Sequence, residues 1–255
     1  TGIYGNNLSG DINITNNKFQ YLSKSIYLTQ FEETSNVTIK NNEINTNVNG
    51  IIIENDYYAE NNFNQALPSV NEMNSPQNIS LSISDNKFKD IFGSAVYVNL
   101  TNFNNVNIDI HNNEIDIFKS PDFHNIDFFD EFEFLVIDSI HASGIALNIK
   151  STTNNNIAIY ENKIKKANLN GVLVETADVS QDNIIKIFDN DIGKVGNPNL
   201  LTTIGYSSPD YDFIRHEILN SGISVLLDYE RFQHYLLKKE TNQASVTIEN
   251  NRIES

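Results

Sequence analysis

The sequence predicts an all-β solenoid, a right-handed parallel β-helix of about seven coils, and three observations carry that prediction. One eight-residue motif recurs seven times. A second short segment with period-two alternation follows it in most copies. Polar insertions of uneven length separate the copies without breaking the motif, as in repeat architectures whose coils are fixed and whose loops vary.

The motif reads apolar, any, apolar, any, Asn/Asp/Glu, Asn, any, Ile/Phe. Its copies are Ile12–Phe19, Val37–Ile44, Leu81–Phe88, Ile108–Ile115, Ile157–Ile164, Ile185–Ile192 and Val246–Ile253. The second Asn of each is Asn17, Asn42, Asn86, Asn113, Asn162, Asn190 and Asn251, at spacings of 25, 44, 27, 49, 28 and 61 residues. Spacings of 25 to 28 fit one bare coil, and the longer ones fit a coil plus an insertion.

Alternation places one set of side chains inside and the other outside. Ile12/Ile14, Val37/Ile39, Leu81/Ile83, Ile108/Ile110, Ile157/Ile159, Ile185/Ile187 and Val246/Ile248 are expected to point inward. With coils ~4.8 Å apart they would stack into aliphatic columns. The second Asn is expected to end the strand, take the left-handed backbone of a sharp corner and ladder with the Asn above and below. The closing Ile or Phe turns back into the core.

The second segment is a small residue, usually Gly, then alternating apolar residues: Ser25-Ile26-Tyr27-Leu28, Gly50-Ile51-Ile52-Ile53, Ser94-Ala95-Val96-Tyr97-Val98, Gly144-Ile145-Ala146-Leu147, Gly171-Val172-Leu173-Val174 and Gly222-Ile223-Ser224-Val225. Glycine here is read as permission for a tight corner. A third, weaker strand is assigned to the variable loops.

The paired strands, Asn corners and Gly-Ile-x-Leu segments resemble the parallel β-helix repeats of the pectate-lyase-like superfamily, from Ile3 to Ile253. That superfamily includes polysaccharide lyases, glycoside hydrolases, alginate epimerases, phage tailspikes and adhesin-like surface proteins. The resemblance implies the fold and leaves the activity open, because folds host many functions.

The chain is read as one domain, 1–255, with insertions at about 55–77, 119–142, 196–221 and 228–243. Asp228–Glu240 is expected to form an amphipathic helix capped by Asp228, and Asp210–Leu219 a short one. Neither end carries an evident cap, so flanking coils of the same polypeptide are expected before Thr1 and after Ser255.

Net charge follows from 17 Lys plus Arg against 33 Asp plus Glu, giving −16. So acidic a chain lacks the basic surface that phosphate binding needs, so nucleic acid is not expected as a partner. Nor is an anionic membrane surface. No stretch approaches the ~20 apolar residues of a membrane span, so direct membrane insertion is not expected. There are no cysteines, which excludes disulfide and thiolate chemistry.

Lyases and hydrolases of this fold place acids and bases on outward positions of neighbouring strands. One outward column of the first strand runs Asn13, Thr38, Ser82, Asp109, Ala158, Lys186, Thr247, and the other Thr15, Lys40, Ser84, His111, Tyr160, Phe188, Glu249. Elimination or epimerisation needs a base, an acid and a group that neutralises a substrate carboxylate. Asp109, His111, Tyr160 and Lys186 are the catalytic candidates. These columns lack the acidic cluster and stacked Asp residues of the related enzymes, so no catalytic set is assigned. Tyr57, Tyr58, Phe128, Phe129, Phe132 and Phe134, all on insertions, are the ligand-binding candidates.

The five histidines, at 111, 124, 141, 216 and 234, have no metal-ligand spacing. The Asp/Asn-rich loops have no EF-hand or nonapeptide pattern, so no metal site or cofactor is assigned and a Ca2+ site has nothing to support it. Five sequons, at Asn7, Asn13, Asn36, Asn78 and Asn99, matter only in a glycosylating host. The leading expectation is a non-catalytic extracellular or cell-surface module with a structural or adhesive role and a glycan or cell-surface partner. The alternative is a polysaccharide lyase, an epimerase or a glycan-binding β-helix.

Overall fold

A computed structural model describes residues 1–45, 48–55, 77–91, 93–117, 143–167, 170–196, 221–227, 229–232, 235–238 and 244–254. Every regular element among them is a strand. In chain order they are β1 (Ile3–Thr15), β2 (Lys18–Gln20), β3 (Lys24–Lys40), β4 (Glu43–Asn45), β5 (Asn49–Asn55), β6 (Asn78–Ser84) and β7 (Lys87–Ile91). Then come β8 (Val96–Thr101), β9 (Asn105–His111), β10 (Glu114–Ile117), β11 (Ile145–Lys150), β12 (Asn154–Tyr160), β13 (Lys163–Ala167) and β14 (Val172–Ala177). The last are β15 (Asn183–Phe188), β16 (Asp191–Val195), β17 (Ile223–Leu227), β18 (Tyr229–Phe232), β19 (Tyr235–Lys238), β20 (Ala244–Glu249) and β21 (Arg252–Ile253).

All pairing is parallel except between β18 and β19. The long β1 and β3 each bend through two ladders. Residues Lys24–Thr29 of β3 pair with β5, while Ser35–Lys40 pair with β6. Ladder A therefore runs from the first halves of β1 and β3 through β5, β8, β11, β14 and β17. Ladder B runs from their second halves through β6, β9, β12, β15 and β20. Ladder C is the separate seven-stranded sheet β2-β4-β7-β10-β13-β16-β21. The chain visits A, B and C in turn, then repeats one rung along, a solenoid-like closure of parallel sheets.

Side-chain alternation fills the space between the ladders. Ile39, Ile83, Ile110, Ile159 and Ile187 of ladder B and Ile26, Ile51, Val98, Ile145 and Val174 of ladder A are fully buried. Ladder C adds Phe19, Ile44, Phe88, Ile115, Ile164 and Ile192, and all join one apolar cluster. Each such side chain contributes on the order of 1.5–3 kcal/mol by leaving water. At the last rung, Val246, Ile248 and Ile253 are 37%, 51% and 52% exposed.

The third strand begins inside the motif, one residue after the second Asn, and not in the variable loops. The Asn pair divides the labour assigned to its second member. The first member takes the left-handed backbone: Asn16, Asn41, Asp85, Asn112, Glu161, Asp189 and Asn250 all have φ between 54° and 59°. The second member makes the ladder. Asn86 donates its backbone N–H and its Nδ2 to Asn113 Oδ1, both at 3.0 Å. Asn113 repeats this toward Asn162 at 3.1 and 3.0 Å, and Asn113 Nδ2 also donates to the Ile83 and His111 carbonyls. Every polar atom of the buried amide is thus partnered, as burial requires.

The glycines ahead of ladder A serve close approach and not a positive φ. A Cβ on Gly144 would stand 2.6 Å from the Gly171 carbonyl oxygen, and one on Gly171 would stand 2.5 Å from that of Gly222. On the outside of ladder C the charges alternate through every rung: Lys18, Glu43, Lys87, Glu114, Lys163, Asp191, Arg252.

Where a helix was expected, Asp228–Glu240, the described residues are strands; β18 and β19 pair antiparallel there, Phe232 opposite Tyr235. A helix of that length is marginal alone, Tyr and Phe favour extended chain, and β18 lies against β14. The helix expected at 210–219 lies outside the described residues.

Candidate functional site

The outward columns of ladder B lie in the register expected. Ser82 pairs with Asp109, Asp109 with Ala158 and Ala158 with Lys186; Ser84, His111, Tyr160 and Phe188 follow in the next column. Asp109 and His111 share a strand face, with Asp109 Oδ1 4.0 Å from His111 Nε2. His111 stacks on Tyr160 with ring centroids 4.9 Å apart and planes 7° apart. Phe188 continues the stack at 4.9 Å and 1°.

Three of the four catalytic candidates, Asp109, His111 and Tyr160, are therefore neighbours. Burial first, then the charge and hydrogen bonding of Asp109, push the Tyr160 phenol above its ordinary value. Lys186 is not brought in: Ala158 separates it from Asp109, leaving two rungs, about 10 Å, between their strands. The stack also turns the ring faces of Tyr160 onto His111 and Phe188, so those faces are closed to a ligand. The Asp109 Oδ1 atom is buried without a hydrogen-bond partner.

Tyr57, Tyr58, Phe128, Phe129, Phe132 and Phe134 lie outside the described residues, as do His124, His141, His216 and His234. Among the described residues no three His, Asp or Glu side chains converge as metal ligands.

A second group was missed by the sequence reading. The outside of ladder A carries the row Thr29, Glu54, Asn99, Asn148, Glu175 and, beside it, the row Tyr27, Ile52, Tyr97, Ala146, Leu173. Outward strand positions ordinarily face water. Here Ile52, Ala146, Leu173, Asn148 and Glu175 are buried, at 4%, 0%, 0%, 8% and 5% exposure. The face is covered at these rungs. Under that cover Asn148 Oδ1 has no hydrogen-bond partner.

Toward the first rungs the same face opens. Tyr4 is 59% exposed and its ring meets that of Tyr27 at 5.4 Å and 43°. The Lys24 ammonium lies 4.0 Å from the Tyr27 ring centroid, within the range of a cation–π contact. The Tyr27 hydroxyl donates to Glu54. Burial first, and then the Glu54 carboxylate, raise the Tyr27 phenol far above its ordinary value. The signal in the sequence was the apolar residue at outward positions: Ile52, Ala146 and Leu173 interrupt a polar alternation and mark a strand buried on both faces.

No family model matches the chain, and comparison with curated proteins and with solved structures gives no match.

Proposed function

We propose that the chain is a right-handed parallel β-helix of about seven coils, pectate-lyase-like in architecture. We further propose that it is a non-catalytic extracellular or cell-surface module with an adhesive role, binding a glycan at the open first rungs of the outer face of ladder A. The observation that carries the reading is the exposed Tyr4 ring against Tyr27, beside the Glu54 carboxylate that accepts from the Tyr27 hydroxyl. A carboxylate accepts from sugar hydroxyls, and a tyrosine ring offers an apolar surface to sugar C–H groups.

Catalysis is disfavoured on distance. Glu54 and Glu175 are three rungs apart, roughly 14 Å at strand spacing. A glycosidase pair works at about 5–9.5 Å. On ladder B the cation that would neutralise a substrate carboxylate stands two rungs from Asp109.

The test is retention of soluble glycans on immobilised protein, with product release followed in parallel. Tyr4→Ala is expected to abolish retention while the fold stays intact, and no product should appear. The second reading, a lyase or epimerase, rests on the Asp109–His111 approach of 4.0 Å. Turnover of an anionic polysaccharide, lost in His111→Ala and Lys186→Ala, would establish it and end the adhesive reading.

A further inference from the structure

The interior of the solenoid does not tell one coil from another. The inward columns of ladders A and B are Ile, Val or Leu at almost every rung, that of ladder C is Ile or Phe, and the corner is Asn at every rung. A coil could therefore stack on its second neighbour, with the intervening coil looped out, and still meet matching side chains. Parallel pairings of distant segments form slowly and leave edges open, and repeat chains characteristically misassemble in this way.

The outside of ladder C does tell them apart. Its alternating column puts opposite charges on adjacent rungs and like charges on rungs two apart. The two end pairs of the column are in direct contact. Lys18 Nζ lies 3.0 Å from Glu43 Oε2. Arg252 holds Asp191 through two bonds, at 2.8 and 2.6 Å. A hydrogen bond from Lys165, with the charges of Lys165, Lys87 and Lys163, keeps the Glu114 carboxyl below its ordinary range. On ladder B the matching outward column, Asn13 through Thr247, shows no such alternation, so the pattern belongs to ladder C and not to the repeat in general.

We propose that this column is a pairing code, which selects the immediate neighbour of each coil during folding and penalises a skipped coil. The inference rests on the coil reading above and is independent of any ligand. Opposite charges facing each other across adjacent strands stabilise, and like charges destabilise. Looping out the third coil would exchange the Glu43–Lys87 and Lys87–Glu114 neighbours for Glu43 against Glu114.

A cysteine reporter tests this in the full chain, which has no cysteine of its own. Asn45 faces Lys89, and Lys89 faces Asp116. Asn45→Cys and Asp116→Cys thus stand two rungs apart, about 10 Å, too far for a disulfide, which needs Cα atoms within ~7 Å. Only a skipped third coil joins them. The chain is refolded under oxidising conditions and the cross-linked fraction read on a gel. Adding E114K makes the skipped pairing attractive and the native pairing repulsive. It should raise that fraction about three- to tenfold at low salt, and ~1 M salt should cancel the rise. K165M, which removes only the Lys165–Glu114 ion pair, should leave the fraction unchanged. If E114K does not refold, E114Q should give a smaller, equally salt-sensitive rise. Equal fractions in parent and variants, or a rise that salt does not reduce, would overturn the proposal.

Discussion

The asparagine corner and the open face of ladder B are made from the same stretches of chain, and they follow opposite rules. Asn113 is buried and repeats at every rung; His111, two residues earlier, has Ser84 on one side and Tyr160 on the other. An amide in the corner must satisfy the rung before it and be satisfied by the rung after it, so one residue type propagates along the stack. An outward side chain has no such fixed hydrogen bond to its neighbours to keep, and each rung drifts on its own. Repetition in this molecule thus marks structural necessity. Any function has to be sought where the repetition fails, as on the outer face of ladder A.

The largest test of that contrast is Asn113→Ala against His111→Ala. Loss of Asn113 Oδ1 leaves two donors of Asn86 unpaired, and the expected cost is about 3 kcal/mol or more. His111→Ala, which loses only a half-buried ring stacked on Tyr160, is expected to cost about 1 kcal/mol. Urea midpoints at constant slope measure both, and equal losses would break the comparison. Gly171→Ala comes next. Its Cβ would stand 2.5 Å from the Gly222 oxygen, so the rungs must part, at roughly 1–3 kcal/mol. Glu161→Gly works the other way. Glu161 is the poorest left-handed residue at the corner, with φ 54°, and its replacement should stabilise by about 0.5–1 kcal/mol.

The smallest effect is a pH effect. The Tyr160 phenol is raised in the folded chain, so folding favours its neutral form. The stability this contributes is fully present below about pH 10, the ordinary value, and is lost as pH rises through the raised one. Asp109→Asn should bring the phenol back toward its ordinary value, readable as an earlier ultraviolet titration.

Much of this was legible in the sequence. The motif located the inward columns, the Asn column and the outward partners Ser82–Asp109–Ala158–Lys186, because a period of two and a fixed corner leave no freedom of register. The alternating charges of ladder C were also there, at the motif position taken as free. Their signs acquire meaning only when Lys18, Glu43 and Lys87 are stacked. The helix expected from Asp228 failed for another reason: amphipathic spacing was weighed without knowing that β14 offered that segment a surface.

The repeat by itself determined the parallel stack, its apolar interior and its buried amides, since each is a contact between equivalent residues one rung apart. Tertiary structure alone decided the rest. It assigned the left-handed turn to the first residue of each Asn pair and gave Gly171 the carbonyl it must avoid. It also covered Asn148. These depend on backbone geometry, close approach and cover in three dimensions, which a residue pattern does not carry.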